Sequence, residues 1–148
     1  MMIILHLVMS NDFAGIEQHV NELALKQMEI NEVHIISTNK IAHEFNQNLN
    51  VISINNFGRK SLINIYKLFK LIKRLNPNIV HTHGSKTTQI VKLIKSRLNA
   101  KHACTIHGIK NKTNIYEHAD IIIGVSDKAV ESIKKNALVI NNWVESGI

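Results

Sequence analysis

The chain has few of the residues that cross-link or interrupt a polypeptide, since its 148 residues include one Cys, one Pro and six Gly. Because Cys104 is the single cysteine, an intramolecular disulfide and a cysteine zinc ribbon are excluded, and a reducing compartment is favoured. Aromatic residues make up 5% of the chain, too few for the stacking platforms of a nucleic-acid-binding surface. No uninterrupted apolar run approaches the roughly 18 residues that a membrane-spanning helix needs.

Acidic residues are also scarce, because 11 Asp and Glu stand against 18 Lys and Arg, for a net charge of +7 with His neutral. Such an excess favours anionic partners, among them anionic lipid, nucleic acid and phosphorylated small molecules. The chain lacks the GxGxxG pattern of nicotinamide dinucleotide binding, the GxxxxGK(S/T) phosphate loop and the HExxH zinc motif. We therefore expect neither a metal nor a nicotinamide cofactor.

Short runs rich in Ile and Val alternate with longer segments of helical period, a pattern typical of an α/β protein with a parallel sheet. The predicted strands cover 3–8, 33–37, 51–54, 79–81, 103–106, 121–125 and 138–140. The predicted helices cover about 16–30, 61–75, 86–98 and 127–135. The second helix is expected to turn Leu62, Ile65, Tyr66, Phe69 and Ile72 towards the core. Near-continuous apolarity in the strands predicts a sheet covered on both faces.

In an open parallel sheet, ligands bind outside the carboxyl ends of the strands, where the connecting loops converge. Four predicted strands are followed at that edge by residues suited to binding. These are Asn11 and Gly15 after the first strand, His83, Ser85 and Lys86 after the fourth, His107 and Lys110 after the fifth, and Ser126 after the sixth. Gly15 begins a predicted helix, whose free amides favour an anion such as phosphate, although a plain turn glycine fits the sequence equally well.

The chain contains nine histidines, and His81 and His83 form the one close pair with strand spacing. The two side chains point to the same face, but no further Cys, His or carboxylate at metal-ligand spacing completes a set. We expect His81 to pack inside the sheet and His83 to end its strand. His107 lies between a strand end and Gly108, so we expect its imidazole to face the cleft. The histidines expected to be structural or exposed are His6, His34, His43, His102 and His118.

The second predicted helix carries Lys67, Lys70 and Arg74 at spacings of three and four, which places them in one stripe. A stripe of this kind is most often a solvated face. The functional interpretation is contact with an anionic surface, where each basic side chain contributes about 1 kcal/mol near a charged membrane. A stand-alone flavodoxin-like module that binds anionic lipid or nucleic acid therefore remains an alternative.

Five segments, in order along the chain, resemble motifs of glycosyltransferase family 4, whose members have the GT-B architecture. They are IILHLV with AGIE within 3–17, NPNIVHTHGSK at 76–86, TIHG at 105–108, ADIIIGVS at 119–126 and VINNWVE at 139–145. Each segment is weak alone, but their order over nearly the whole chain is specific. The departures are Ala14 before Gly15, where the family has two glycines, and Trp143 and Glu145, where Gly and Asp are common.

The resemblance implies a Rossmann-like three-layer domain over 1–140, the N-terminal half of a GT-B fold. It implies that an interdomain linker begins at 141–148 and that a C-terminal donor-binding domain completes the enzyme. The implied activity is retaining transfer of a sugar from a nucleotide-sugar co-substrate, without a metal or other cofactor, to a glycan or lipid-linked acceptor. Bacterial cell-envelope polysaccharide synthesis in the cytoplasm, on the inner face of the membrane, is the implied setting.

The resemblance also implies roles for the residues at the sheet edge. His107 is the expected catalytic residue and contacts the transferred sugar, while Gly15 and Ser126 lie near the donor phosphates. The acceptor-side cleft is expected to include Asn11, His83, Ser85, Lys86 and Lys110. The basic stripe of Lys67, Lys70 and Arg74 is expected to make peripheral contact with anionic membrane, and no nucleic acid is expected as a partner.

Overall fold

The computed structural model describes residues 1–108, 114–131, 133 and 137–141. The strands are β1 (Ile3–Leu7), β2 (Glu32–Thr38), β3 (Asn50–Ile54), β4 (Ile79–His83), β5 (Lys101–Ile106), β6 (Ile121–Gly124) and β7 (Leu138–Val139). The helices are α1 (Gly15–Gln27), α2 (Leu62–Leu75), α3 (Ser85–Ile94) and α4 (Asp127–Val130), with 3-10 turns at Ala42–Glu44 and Lys95–Arg97. The seven predicted strands are confirmed.

All seven strands run parallel in one sheet, in the order β3-β2-β1-β4-β5-β6-β7. The chain moves outwards from β1 to β3 and then crosses back to place β4 on the other side of β1. This is the strand order of the Rossmann fold rather than the 2-1-3-4-5 order of flavodoxin. The flavodoxin-like alternative is therefore wrong in topology, and the Rossmann-like expectation is confirmed.

Two apolar layers separate the sheet from its helices, as the alternation along each strand dictates. On one face, Leu5, Leu7 and their neighbours pack against the buried residues of α2 and α3. On the other face, Ile4 and Val8 pack with Val20 and Ala24 of α1. The sheet is thus the middle of three layers, and its carboxyl edge stays accessible between the helices.

The boundaries of the helices follow local backbone constraints. α2 ends where Asn76 adopts the left-handed conformation, with φ 47°, just before Pro77. α3 begins after Gly84, whose φ of 92° is a conformation that other residues rarely adopt. Ser126 caps α4 by accepting a hydrogen bond from the Ala129 amide, as expected.

Three helices are shorter than the sequence predicts. α1 stops at Gln27, α3 gives way to a 3-10 turn after Ile94, and α4 ends at Val130, with residues 131 and 133 outside the helix. Residues 132 and 134–136 of the predicted helix, and all but the first residue of the expected linker, lie outside the described residues. Within the part of the chain that the structure describes, no helix has the length and apolarity to cross a membrane.

The predicted core side of α2 needs a correction. Leu62 and Tyr66 were assigned to it, yet they are 73% and 57% exposed, and the buried residues are Ile65, Leu68 and Ile72. These three lie three and four positions apart, so they share one face of the helix. Tyr66 is turned about 100° away from Ile65, and Leu62 occupies the first position of the helix.

We expect Leu68→Ala to lower the free energy of unfolding by about 2–5 kcal/mol, because a buried leucine leaves a cavity that its neighbours only partly fill. Leu62→Ala is the matched control, since it makes the same change on the same helix at an exposed position, and its effect should stay within about 0.5 kcal/mol. Urea unfolding of both variants measures the difference. Equal destabilisation would contradict the packing of α2 described above.

Candidate functional site

A cleft of about 570 Å³ opens at the carboxyl edge of the sheet, at the point where the strand order reverses. Its walls are the loop and first turn that follow β1, from Ser10 to Glu17, and His107, which follows β5. The structure therefore brings together Asn11, Gly15 and His107, three of the residues that the sequence singles out. In open α/β sheets this is the position at which ligands bind.

A buried carboxylate holds the loop after β1 in place. Glu17 is 3% exposed, and its Oε1 accepts a hydrogen bond of 2.5 Å from the Ser10 hydroxyl. Its Oε2 accepts one of 2.8 Å from the amide of Ala14. Because Glu17 occupies the first turn of α1, these bonds fix the approach of the chain to Gly15 and orient the helix amides towards the cleft.

A second group of polar residues at this edge of the sheet, joined to the cleft through Asn11, includes residues that the sequence analysis missed. The Lys86 ammonium donates a 2.7 Å hydrogen bond to Oδ1 of Asn56, whose Nδ2 donates one of 3.2 Å to Oδ1 of Asn11. Asn56 lies in the loop after β3, at the same edge of the sheet as the predicted candidates. The rule that strand ends converge would have found it, had it been applied to that strand as well.

Arg59 adds a second cation to this group. Its guanidinium donates hydrogen bonds of 2.9 Å to the Ser85 hydroxyl and 2.6 Å to Oε1 of Gln89. Partial burial, followed by the nearby positive charge of Arg59, lowers the pKa of Lys86. Two predicted acceptor-side residues, Ser85 and Lys86, are thus held by the loop after β3. The pair of cations makes this group of residues suited to an anionic or hydroxyl-rich ligand.

Behind His107, a row of side chains joined by hydrogen bonds crosses the interior of the molecule. His107 Nε2 lies 3.1 Å from His83 Nδ1, and His83 Nε2 lies 3.0 Å from His6 Nδ1. His6 Nε2 in turn lies 2.6 Å from Oε1 of Gln27, the last residue of α1. His83 ends β4, as expected, but its side chain is buried and meets the cleft only through His107.

His81 completes the cluster from the same face of β4. Its ring stacks on that of His83 with 4.2 Å between centroids, and its Nε2 lies 2.6 Å from the hydroxyl of Thr105. His19, from α1, packs edge-on to His107 at 5.1 Å. The sequence analysis found the His81 and His83 pair but missed His6, Gln27 and His19, because the β1–β4 pairing and the position of α1 decide their proximity.

Burial keeps the imidazoles of His6, His81 and His83 neutral. It lowers the pKa of His6 to about 4; the hydrogen bond that His6 donates to Gln27 opposes this shift, and the charge of His19 adds to it. Burial also holds the pKa values of His81 and His83 well below the usual range, and the neighbouring imidazoles add to the effect. Neutral imidazoles each offer one donor and one acceptor, which suits a hydrogen-bonded row.

A metal ion is the other ligand that such a group could hold. Among the described residues, His6, His81 and His83 bring one ligand atom each to within 4.8 Å of one another. In the structure, however, ring nitrogens of these residues are engaged with one another, with Gln27 or with Thr105. A dication here would be surrounded by neutral ligands in a buried site, where desolvation is costly. The hydrogen-bonded row therefore fits the residues better, and the expected lack of a metal stays a prediction.

The other predicted residues do not line the cleft or are not among the described residues. The Oγ of Ser126 accepts the Ala129 amide in its cap, so its proximity to a donor phosphate stays a prediction. Lys110 lies outside the described residues. Lys67, Lys70 and Arg74 are exposed on the outer surface of α2 and take no part in the cleft.

Solved structures share this fold over nearly the whole chain. A glycosyltransferase from Rickettsia africae is 19% identical with a TM-score of 0.71, covering 97% of this chain and 43% of its own. Anabaena Alr3699/HepE in complex with UDP-glucose is 14% identical with a TM-score of 0.77, covering 96% and 44%. The lipopolysaccharide outer core galactosyltransferase WaaB is 15% identical with a TM-score of 0.75, covering 97% and 46%. The chain thus spans less than half the length of these proteins.

Fold and cleft together define a Rossmann-like domain of the GT-B glycosyltransferase class. The chain belongs to glycosyltransferase family 4, whose model matches residues 13–145. No curated protein matches it. The resemblance that the sequence motifs carry is therefore confirmed at the level of family and fold.

The buried histidines predict a loss of stability in acid. Unfolded His titrates near pH 6.5, whereas His6 in the folded protein stays neutral down to about pH 4, so the unfolded state binds more protons between these values. Stability should therefore fall as pH drops through this window, by roughly 3 kcal/mol for a shift of this size in one group.

Urea unfolding from about pH 7 to about pH 4.5 measures this dependence. His6→Asn should make it shallower, whereas His43→Asn, at an exposed position, should leave it unchanged. A free energy of unfolding that stays constant over the range would show that these imidazoles are not buried as neutral groups.

Proposed function

We propose that the chain is the N-terminal, acceptor-side domain of a retaining glycosyltransferase that moves a sugar from a nucleotide-sugar to a glycan or lipid-linked acceptor. The observation that carries the proposal is the cleft at the reversal of strand order, where His107 faces the amide-bearing start of α1 at Gly15. Membership of family 4 supports it. Complexes of HepE with UDP-glucose support the nucleotide-sugar as donor class.

In this proposal, groups held in fixed orientations stabilise the charges that develop on the nucleotide phosphate and on the sugar during transfer. The Gly15 end of α1 stabilises the departing nucleotide phosphate through its free amides and helix dipole. His107 positions the sugar against an oxocarbenium-like transition state, and the preorganised site avoids the cost of reorienting water. The cations Lys86 and Arg59 line the acceptor side. A second, donor-binding domain closes the cleft, in keeping with the longer chains of the matched structures.

His107→Ala in the full-length enzyme should lower kcat/KM by about a hundredfold or more, the usual effect of removing one preorganised group from a transition state. Release of free nucleotide from UDP-, GDP- and ADP-sugars, with and without membrane extract as acceptor, gives the rate. His43→Ala is the control, because it removes an exposed imidazole that does not line the cleft. Unchanged turnover in His107→Ala would refute the assignment.

We also propose a cytoplasmic enzyme that contacts the inner face of the membrane through α2, in cell-envelope polysaccharide synthesis. This helix has no acidic residue, and its exposed surface combines Lys67, Lys70 and Arg74 with Leu62 and Ile63, which are 73% and 74% exposed. Basic residues beside exposed apolar ones are typical of helices that lie in a membrane interface. WaaB, named for the lipopolysaccharide outer core, supports an envelope acceptor.

Reversing the charge of Lys67, Lys70 and Arg74 to Glu should weaken binding to phosphatidylglycerol-containing vesicles about a hundredfold, since each basic residue contributes about 1 kcal/mol near an anionic surface. The matched control reverses three exposed lysines elsewhere, Lys26, Lys40 and Lys128. Vesicle sedimentation at low and high salt measures the effect. Equal loss in both triple variants would indicate a general charge effect and remove α2 as the contact.

A further inference from the structure

We propose that Gln27, acting through His6 and His83, determines which ring nitrogen of His107 carries the proton. The row places a proton on Nε2 of His107 and directs it inwards, to Nδ1 of His83. This N–H is therefore held by His83 and is not offered to a ligand in the cleft. His107 is the expected catalytic residue of the proposed function, but the direction of the row does not depend on that role.

The direction of the row follows from its inner end. Gln27 faces His6 with its carbonyl oxygen, which accepts only, so the hydrogen of this 2.6 Å contact belongs to His6 Nε2. A neutral imidazole with its proton on Nε2 has a lone pair on Nδ1. His6 Nδ1 therefore accepts from His83 Nε2, across 3.0 Å.

The same rule carries the direction outwards to the cleft. His83 donates its one N–H, on Nε2, to His6. Its Nδ1 therefore carries a lone pair and accepts a hydrogen bond from His107 Nε2, across 3.1 Å. Each step holds because the inner imidazoles are neutral, as their burial requires. A side chain at the far end of α1 is thereby connected to the chemistry at the sheet edge.

The fold builds the inner part of this row, His83, His6 and Gln27, from three elements in fixed register. Parallel pairing aligns His6 of β1 with His81 of β4 and places His83 on the same face, two residues further along. α1 packs on that face through Val20 and Ala24, which brings its last residue, Gln27, over His6. The three elements belong to the sheet and to the helix that covers it, so the geometry is preorganised before a ligand arrives.

The tautomer has a chemical consequence at the cleft. A phosphate or carboxylate oxygen in the cleft needs a hydrogen-bond donor, and the Nε2–H of His107 is already bonded to His83. Gln27, His6 and His83 are in this sense positioning residues, since they act on the ligand only through His107.

Histidine labelled with 15N and 13C in the full-length protein tests the proposal directly. Couplings across the hydrogen bonds should link the Nε2 proton of His83 to His6 Nδ1, and the Nε2 proton of His107 to His83 Nδ1. Couplings in the opposite sense, from protonated Nδ1 atoms, would overturn it. This measurement does not depend on activity, so it stands or falls separately from the proposed function.

Two variants of one residue should give opposite results. Gln27→Glu keeps an acceptor beside His6 and should preserve the tautomers, whereas Gln27→Lys supplies only a donor and should move the protons of all three histidines to Nδ1. Gln18→Glu and Gln18→Lys make the same changes at an exposed position of α1 and should alter neither. Identical tautomers in the two Gln27 variants would overturn the role of Gln27.

The row and the proposed function can fail separately. If His107→Ala impairs transfer but the couplings run in the opposite sense, the positioning row fails while the proposed function stands. If His107→Ala has no effect although the tautomers are as expected, the proposed function fails and the positioning row stands.

Discussion

The parallel pairing of β1 with β4 is the contact on which the cleft and its histidines depend. It sets the reversal of strand order, so that the loop after β1 and the loop after β4 leave the sheet on opposite sides of one opening. It also aligns His6 with His81 on the same face. A slip of one residue would turn His6 to the other face, among the leucines that pack against α2 and α3.

The two faces of the sheet serve different purposes. The face under α2 and α3 is aliphatic, and its burial supplies much of the driving force for folding. The face under α1 replaces part of that apolar surface with imidazoles, whose burial costs free energy unless each polar atom finds a partner. The second face is instead held by directional contacts. A hydrogen bond specifies an angle and the position of a proton, whereas an apolar contact specifies neither.

Local patterns were enough to predict the strands and the place of the cleft. Runs of Ile and Val mark buried parallel strands, and the rule that strand ends converge selected Gly15 and His107. The same rule was not applied to the loop after β3, and Asn56 and Arg59 were missed for that reason. On α2, apolar residues occupy neighbouring positions, and the helical period alone does not decide which of them face the core. Leu62 and Tyr66 were assigned to the core in error for that reason.

The contact between His6 and Gln27 could not be predicted from any local pattern. Its partners lie 21 residues apart, and only the packing of α1 on the sheet brings them together. No period or motif in the sequence reports a contact of that kind.

The hydrogen-bonded row also limits how this part of the domain can evolve. If Gln27 became apolar, the buried His6 would face a side chain that cannot accept its hydrogen bond, and a change at His6 would in turn affect His83. A single substitution is therefore costly wherever it falls, while a matched set that keeps one donor and one acceptor at each junction is tolerated. In related chains, positions 6, 27 and 83 should consequently change as a group. Their covariation would then reflect the donor-to-acceptor direction of the hydrogen bonds, which no single residue reveals.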